Sequence, residues 1–325
     1  MSNREAQRFE TVCVSETSDG PVHELVEGRD VPISKTNLVN RTLPHRDRRM
    51  VGAWCFVDTY GPDAVITMPG MRVPAHPHIG LQTVSWLLEG TIEHRDSLGS
   101  HQMVQPGELN LMTAGHGIAH SEESPQERPP RLHGAQLWVA LPEHARHVEP
   151  RFEHVVDLPR LRLGDVTVTV IVGELAGEAS PARVHSPLVG ADLDVAGPAQ
   201  VPLQVDFEHA VVVTSGQVEV DGELLRPGRL LYLGTGRDRL HVTSASGGRC
   251  LLLGGEPFDE EILMWWNFVG RTHEEIVEAR ERWMGELAGG FAGEQVRFGA
   301  VPGFTGAPLA APALPTSRLR PRGRR

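Results

Sequence analysis

Short apolar runs recur through the sequence, each only a few residues long and most closed by a turn residue. "TVSWLL", "ELNLM", "AQLWVAL", "VTVTVIVG", "HAVVVTSG", "QVEV", "LLYLG" and "RCLLLGG" are rich in Val, Leu, Ile and Thr. The 35 glycines and 25 prolines are scattered between such runs rather than clustered. Short strand-length runs punctuated this way predict an all-β sandwich or barrel. One stretch breaks the pattern. "RTHEEIVEARERWMGELA", residues 271–288, places Ile276, Ala279, Trp283 and Leu287 on one face, and Thr272 followed by Glu275 fits a capping box. A short C-terminal helix is expected there.

A repeat runs through the strands. "LLEGTIEHRDSLGSHQMVQPGELNLM" (87–112) and "VTSGQVEVDGELLRPGRLLYLG" (213–234) both read glycine, strand, polar turn, Pro-Gly, strand. Gly90 corresponds to Gly216, and Pro106-Gly107 to Pro227-Gly228. The economical reading is one β-module in two tandem copies. The polar stretch "LPEHARHVEPRFEHV" (141–155) is the place for a boundary. The expected division is 1–145, 146–290 and a Pro- and Ala-rich tail, 291–325. Five of the last eight residues are arginine, and this basic end is expected to be solvated and disordered.

With 42 acidic against 31 basic residues and a net charge of −11, a basic nucleic-acid-binding face is not expected. No apolar run approaches the ~18 residues of a membrane span, and "MSNREAQRFE" lacks the apolar core of a signal peptide. The three cysteines, Cys13, Cys55 and Cys250, lie far apart. They read as reduced thiols of a cytoplasmic protein and as neither a disulfide framework nor a sulfur-ligated zinc site. No strand–helix GxGxxG unit, P-loop or GxSxG elbow is present, so nucleotide-dependent and serine-hydrolase chemistry have no support.

The chemistry lies in the histidines. In "PAHPHIG", His76 and His78 are two apart at the mouth of a strand, so both rings project to one side. In "AGHGIAHSEES", His120 and Glu122 repeat that spacing. Three imidazoles and a carboxylate make a mixed nitrogen and oxygen donor set suited to Fe(II), Mn(II), Ni(II), Cu(II) or Zn(II). On an octahedral ion they leave two positions open.

This pattern resembles the cupin superfamily, whose first motif reads G-x5-H-x-H-x3,4-E-x6-G. Gly70, His76, His78, Gln82 and Gly90 occupy nearly those places. The closer resemblance is to the pirin family of bicupins, carried by "RTLPHRDRRMVGAWCFVDTYGP", "HPHIGLQTVSWLLEGTIEHRDSLG", "PGELNLMTAGHGIAHSE", "HGAQLWVALP" and "GGEPFDEEILMWWNFVGRTHEEI". The resemblance implies two cupin-type jelly-roll domains packed face to face, with metal only in the first. It implies His76, His78, His120 and Glu122 as ligands, usually of iron, and a monomer. Gln82 stands where many pirins have Glu. Its neutral amide suits a hydrogen-bonding role beside the metal, as a second-shell residue or in the pocket, rather than ligation. His133, just before "GAQLWV", is a further candidate second-shell donor, and His116 a candidate for the pocket mouth.

Other residues read as scaffold. Trp86, Trp138, Trp265 and Trp266 are expected to pack, Arg95 and Asp96 to form a turn and a local ion pair, and His94 and His101 to lie outside the ligand shell. Val84, Trp86 and Leu88 share one strand face that would suit either a flat aromatic ligand or the core. The second module carries no His-x-His or His-x-Glu.

The resemblance carries two functions. One is oxygenative cleavage of a flavonol-like aromatic substrate by dioxygen, of the quercetin 2,3-dioxygenase type, with Glu122 taking the substrate's proton. The other is a redox-sensing regulator that binds a protein partner, a transcription factor or a metabolic enzyme. A deep apolar pocket would favour the first and a shallow polar-rimmed one the second.

Overall fold

The computed structural model describes residues 20–33, 38–65, 70–293 and 296–324; Cys13 and Arg325 lie outside them. All eight apolar runs named above fall in strands. They assemble into two sandwiches, each made of one large sheet and one four-stranded sheet. The first sandwich's large sheet has seven strands, in the order 151–155, 109–113, 81–89, 131–140, 54–64, 38–43 and 29–32. It faces a smaller sheet of strands 72–78, 118–123, 92–96 and 101–104. The second sandwich repeats the plan with an eight-stranded sheet centred on 208–216, 248–255 and 188–195. Every paired strand in both is antiparallel, as hairpin-connected sequence copies demand. This is a pair of cupin jelly rolls.

The two large sheets pack against each other. One hydrophobic cluster runs through both, from Trp54, Val84, Trp86 and Leu137 to Val172, Ala210, Val212 and Leu253. The second sandwich keeps its own interior, lined by Val168, Val211, Val213 and Leu252. Strand alternation explains the sorting: on 208–216 the even residues Ala210 and Val212 face the partner domain, and the odd ones face inward. Three indoles or amides lock the seam. Trp54 Nε1 donates to the carbonyls of Val189 and Gly254 at 3.1 Å each, Trp86 Nε1 to Asp192 Oδ2 at 3.0 Å, and Gln82 Nε2 to the Arg183 carbonyl at 2.9 Å. The Val84–Trp86 face is therefore core and holds no cavity for an aromatic ligand.

Strand pairing corrects the expected boundaries. Pro21–Glu27 pairs with Arg229–Gly234 in the second domain's sheet. Arg151–Val155 pairs with Leu109–Thr113 in the first domain's sheet. The first sandwich thus runs past residue 145 to Val155, and the first described strand belongs to the second.

The helix forms at His273–Ala288. Thr272 Oγ1 accepts the Glu275 amide at 3.2 Å, and Glu275 reaches back to the Thr272 amide, completing the capping box. Ile276, Ala279 and Trp283 are buried. Among the described residues it is the only helix, and no helix is long and apolar enough to cross a membrane.

The C-terminal segment differs from expectation through Arg324. Residues 297–324 form a strap without helix. Phe298 O accepts the Ala119 amide, Leu309 N–H donates to Ala75 O, and Arg322 exchanges two backbone bonds with Ile262. Arg324 ends the described strap on Glu208 at 2.6 Å. Its composition hides this, because the strap is held by neighbours' backbone groups and buried carboxylates rather than by a ladder of its own. Cys55 and Cys250 are buried free thiols. Burial pushes Cys55 up to about 12 and raises Cys250 as well, so neither is a thiolate at pH 7.

Candidate metal centre

The small sheet of the first domain carries the site. Pairing of Arg72–His78 with Ile118–Glu123 sets His120 directly opposite His76, and a register shift follows before Glu122. All three histidines have zero exposure and Glu122 is buried. Their Nε2 atoms converge: His120 lies 3.0 Å from His76 and 3.1 Å from His78.

Backbone carbonyls fix the tautomers. His76 Nδ1 is 2.8 Å from Pro74 O, and His78 Nδ1 is 3.1 Å from Asn267 O. A ring nitrogen facing a carbonyl carries the proton, which leaves a lone pair on each Nε2. Burial, with the neighbouring His76 ring, holds His78 and His120 well below the usual imidazole range, so both are neutral at pH 7. Two lone pairs therefore point at one further nitrogen. A single proton cannot satisfy that set; a cation can. Ligands about 2.1 Å from an ion stand ~3.0 Å apart on adjacent octahedral vertices and ~3.4 Å apart on a tetrahedron. The spacings match the octahedral edge. The residues present fit a metal ion.

The large sheet closes the chamber. Ser85 Oγ lies 3.0 Å from Glu122 Oε1 and 2.9 Å from Gln136 Oε1. Trp138 meets the His78 ring edge-on at 5.1 Å and stacks on Phe56 at 4.0 Å. The buried Tyr60 hydroxyl has no hydrogen-bond partner among the described residues. Burial and the Glu122 charge raise its phenol well above the usual range, so it remains a donor.

Three expected residues lie elsewhere. Gln82 shares strand parity with Val84 and Trp86, not with Ser85, so it faces the domain seam, bonded to Thr113 Oγ1 and Arg183 O. His133 also faces the seam, with Nε2 3.0 Å from Thr214 O. Neither supports the metal chamber. His116 pairs with Glu149 at 3.1 Å on the rim of a neighbouring cavity. Arg95 pairs with Glu93 rather than Asp96.

His94 was missed. It is buried, stacked on Phe152 at 4.4 Å, and bonded through Nε2 to Asp96 Oδ2 at 3.2 Å. Two donor groups result, His76–His78–His120 and His94–His120–Glu122, each with its donor atoms within 4.8 Å of one another. The pairing of His94 with Glu122 across adjacent strands could have been sought in "IEHRD". The stack on Phe152 could not, because that residue lies beyond the expected domain boundary.

A cavity of ≈ 1080 Å³ lies between this end of the domain and the helix, bounded by Ile79, His116, Val269, Arg146, Glu275 and Arg297 among others. It abuts the residue after His78 but is not lined by His76, His78, His120 or Glu122. Its charged walls are cross-linked, Arg146 to Glu275 at 2.8 Å and Arg297 to the carbonyl of His116 at 2.7 Å.

Residues 36–139 match the family model described as Pirin, and residues 188–287 the one described as Pirin C-terminal cupin domain. The chain is 47% identical over 293 residues, 89% of its length, to a Pseudomonas aeruginosa protein named "Putative quercetin 2,3-dioxygenase", of which it covers 90%. It is 35% identical over 217 residues to the pirin of Homo sapiens, across 63% of this chain and 74% of that one. Among solved structures, quercetin 2,3-dioxygenase from Acinetobacter baumannii superposes with a TM-score of 0.85 at 43% identity, covering 92% of this chain and 97% of that one.

Proposed function

The chain belongs to the pirin family, and from that premise we propose that it is a metal-dependent dioxygenase acting on a flavonol-like hydroxyketone, of the quercetin 2,3-dioxygenase type. The convergence of three buried Nε2 atoms, with that of His120 3.0 Å from His76 and 3.1 Å from His78, carries this reading, and relatives at 47% and 43% identity bear that enzyme's name. His76, His78, His120 and Glu122 would hold the ion, iron by family expectation. Such an ion supplies Lewis acidity and one-electron chemistry to a chelating substrate and dioxygen. The chain's own residues then have definite tasks. The Pro74 and Asn267 carbonyls keep the His76 and His78 lone pairs aimed inward. Glu122 accepts the 3-hydroxyl proton of the substrate, steadied by Ser85. Trp138 and Phe56 exclude water from that side. The overall reaction balances as flavonol plus dioxygen giving the ring-opened carboxylic ester and carbon monoxide.

A second reading has one observation in its favour. The candidate ligands are fully buried, and the neighbouring cavity carries charged groups, Arg146, Glu275 and Arg297 among them, beside the apolar Ile79 and Val269. That suits a redox-sensing centre whose charge state is read by a protein partner.

Oxygen uptake by the anaerobically purified, iron-loaded protein on adding quercetin separates the two. Uptake proportional to iron, with carbon monoxide released and no uptake in His78→Ala, supports the oxygenase. Stoichiometric iron without uptake overturns it in favour of the partner-binding role.

A further inference from the structure

Two buried donors on the wall facing the histidines have nothing to donate to. Trp138 and Tyr60 are both buried. Neither Trp138 Nε1–H nor the Tyr60 hydroxyl has a hydrogen-bond partner among the described residues. A buried donor left unpaired is costly, so a native fold that keeps two of them calls for a reason. Their placement supplies one. Gly134, Gln136 and Trp138 share one face of strand 131–140. Gln136 is joined through Ser85 to Glu122, and Trp138 lies edge-on to His78, so that face is the chamber wall. Tyr60 stands opposite Gly134 in the strand register. A Cβ at Gly134 would lie 2.9 Å from Tyr60 Oη, so the glycine leaves the hydroxyl its place in the same row. Burial and the Glu122 charge keep the phenol protonated. The large sheet thus presents hydrogen-bond donors to the chamber, across from the candidate metal ligands of the small sheet.

Resting on the flavonol-type reading, we propose that Tyr60 and Trp138 are specificity-determining substrate contacts, donating to ligand oxygens that lie away from the metal-chelating edge. This narrows the substrate class. The preferred flavonol carries oxygens beyond its 3-hydroxyl and 4-keto pair. A ring system without them leaves both donors buried and unpaired, and is bound more weakly for that reason.

Anaerobic titration of the full-length, Fe(II)-loaded protein with quercetin and with 3-hydroxyflavone, followed by flavonol absorbance, tests this. The two share the chelating edge, and 3-hydroxyflavone has no other hydroxyl. Wild-type protein is expected to bind quercetin at least ~10-fold more tightly than 3-hydroxyflavone. Tyr60→Phe and Trp138→Phe should each weaken quercetin binding by ~3–10-fold and leave 3-hydroxyflavone unchanged. Because the Tyr60 hydroxyl has no partner among the described residues, Tyr60→Phe should melt no lower than wild type. An unchanged preference in both variants would overturn the proposal. So would equal weakening of both flavonols, the mark of a packing role. A preference lost in one variant alone assigns the contact to that residue and removes the other from it. If Trp138→Phe fails to fold, Tyr60→Phe decides alone. No binding of either flavonol by wild-type protein overturns this proposal together with the flavonol-type reading, whereas the expected preference without oxygen uptake overturns only the dioxygenase reading.

Discussion

His78 sets its Nδ1 3.1 Å from the carbonyl oxygen of Asn267, 189 positions further along the chain. Asn267 sits in the turn between the short strands Leu263–Trp265 and Phe268–Gly270. The next grip is one residue away, where the Val269 amide donates to Ile79 O at 3.1 Å. A turn from the second family region thus orients a ligand candidate of the first.

Gly80 makes that approach possible. Its φ is +67°, and a Cβ there would stand 2.0 Å from Val269 O. Gly80→Ala is expected to push the turn away and to destabilise the protein by about 2–4 kcal/mol. Metal affinity, measured by chelator competition, should fall with it. A Gly80→Ala protein with native melting temperature and affinity would show that the turn does not orient His78.

The domain seam hangs on Asp192, which accepts Trp86 Nε1 and pairs with Arg249. Asp192→Ala strands a buried N–H and a partly buried guanidinium, and should cost about 2–3 kcal/mol. Thermal denaturation should show a drop of roughly 5 °C. An unchanged melting temperature would mean that the apolar cluster alone sets the seam.

The strap predicts a kinetic effect. Leu309 N–H binds the carbonyl of Ala75, next to His76, and Trp283 Nε1 donates to Leu309 O at 2.8 Å. Deleting residues 302–325 should leave both sandwiches folded but speed metal extraction by a chelator by ~10-fold or more, as for a segment that opens locally. Equal extraction rates would assign the strap a purely structural role.

Acid stability should report on His209. Burial in the second domain pushes its imidazole down to about 4. The unfolded chain takes up that proton near pH 6.5, whereas the folded protein resists it until about pH 4. The group's contribution to stability is therefore complete above pH 6.5 and is lost as pH falls toward 4, by up to about 3 kcal/mol. His209→Gln should flatten that part of the denaturation profile. A variant with the same slope would place the acid sensitivity elsewhere.

The sequence disclosed periodicity better than partnership. Val211 and Val213 against Ala210 and Val212 can be sorted to two faces by alternation alone, and so can His76 with His78. Gln82 could not be placed, because Gly80 and the turn to a new strand reset the parity between His78 and Gln82. His133 faces the seam for a related reason, a register shift between it and Gly134. His94 was hidden because its neighbours come from two other strands: Phe152 on 151–155, and His120 and Glu122 on 118–123, meet it only once the sheets close. The strap was misread because its proline-rich composition suggests disorder, while its anchors, Ala75, Ala119 and Glu208, are distant in sequence.

The most direct test of the metal centre is its occupancy. Metal bound per chain should be quantified in the wild-type protein, His76→Ala and Glu122→Ala, purified identically, with far-UV circular dichroism confirming the β fold. One ion per wild-type chain, sharply reduced in both variants, is the expected result. Full occupancy in both variants would contradict the assignment of this chamber as the metal site.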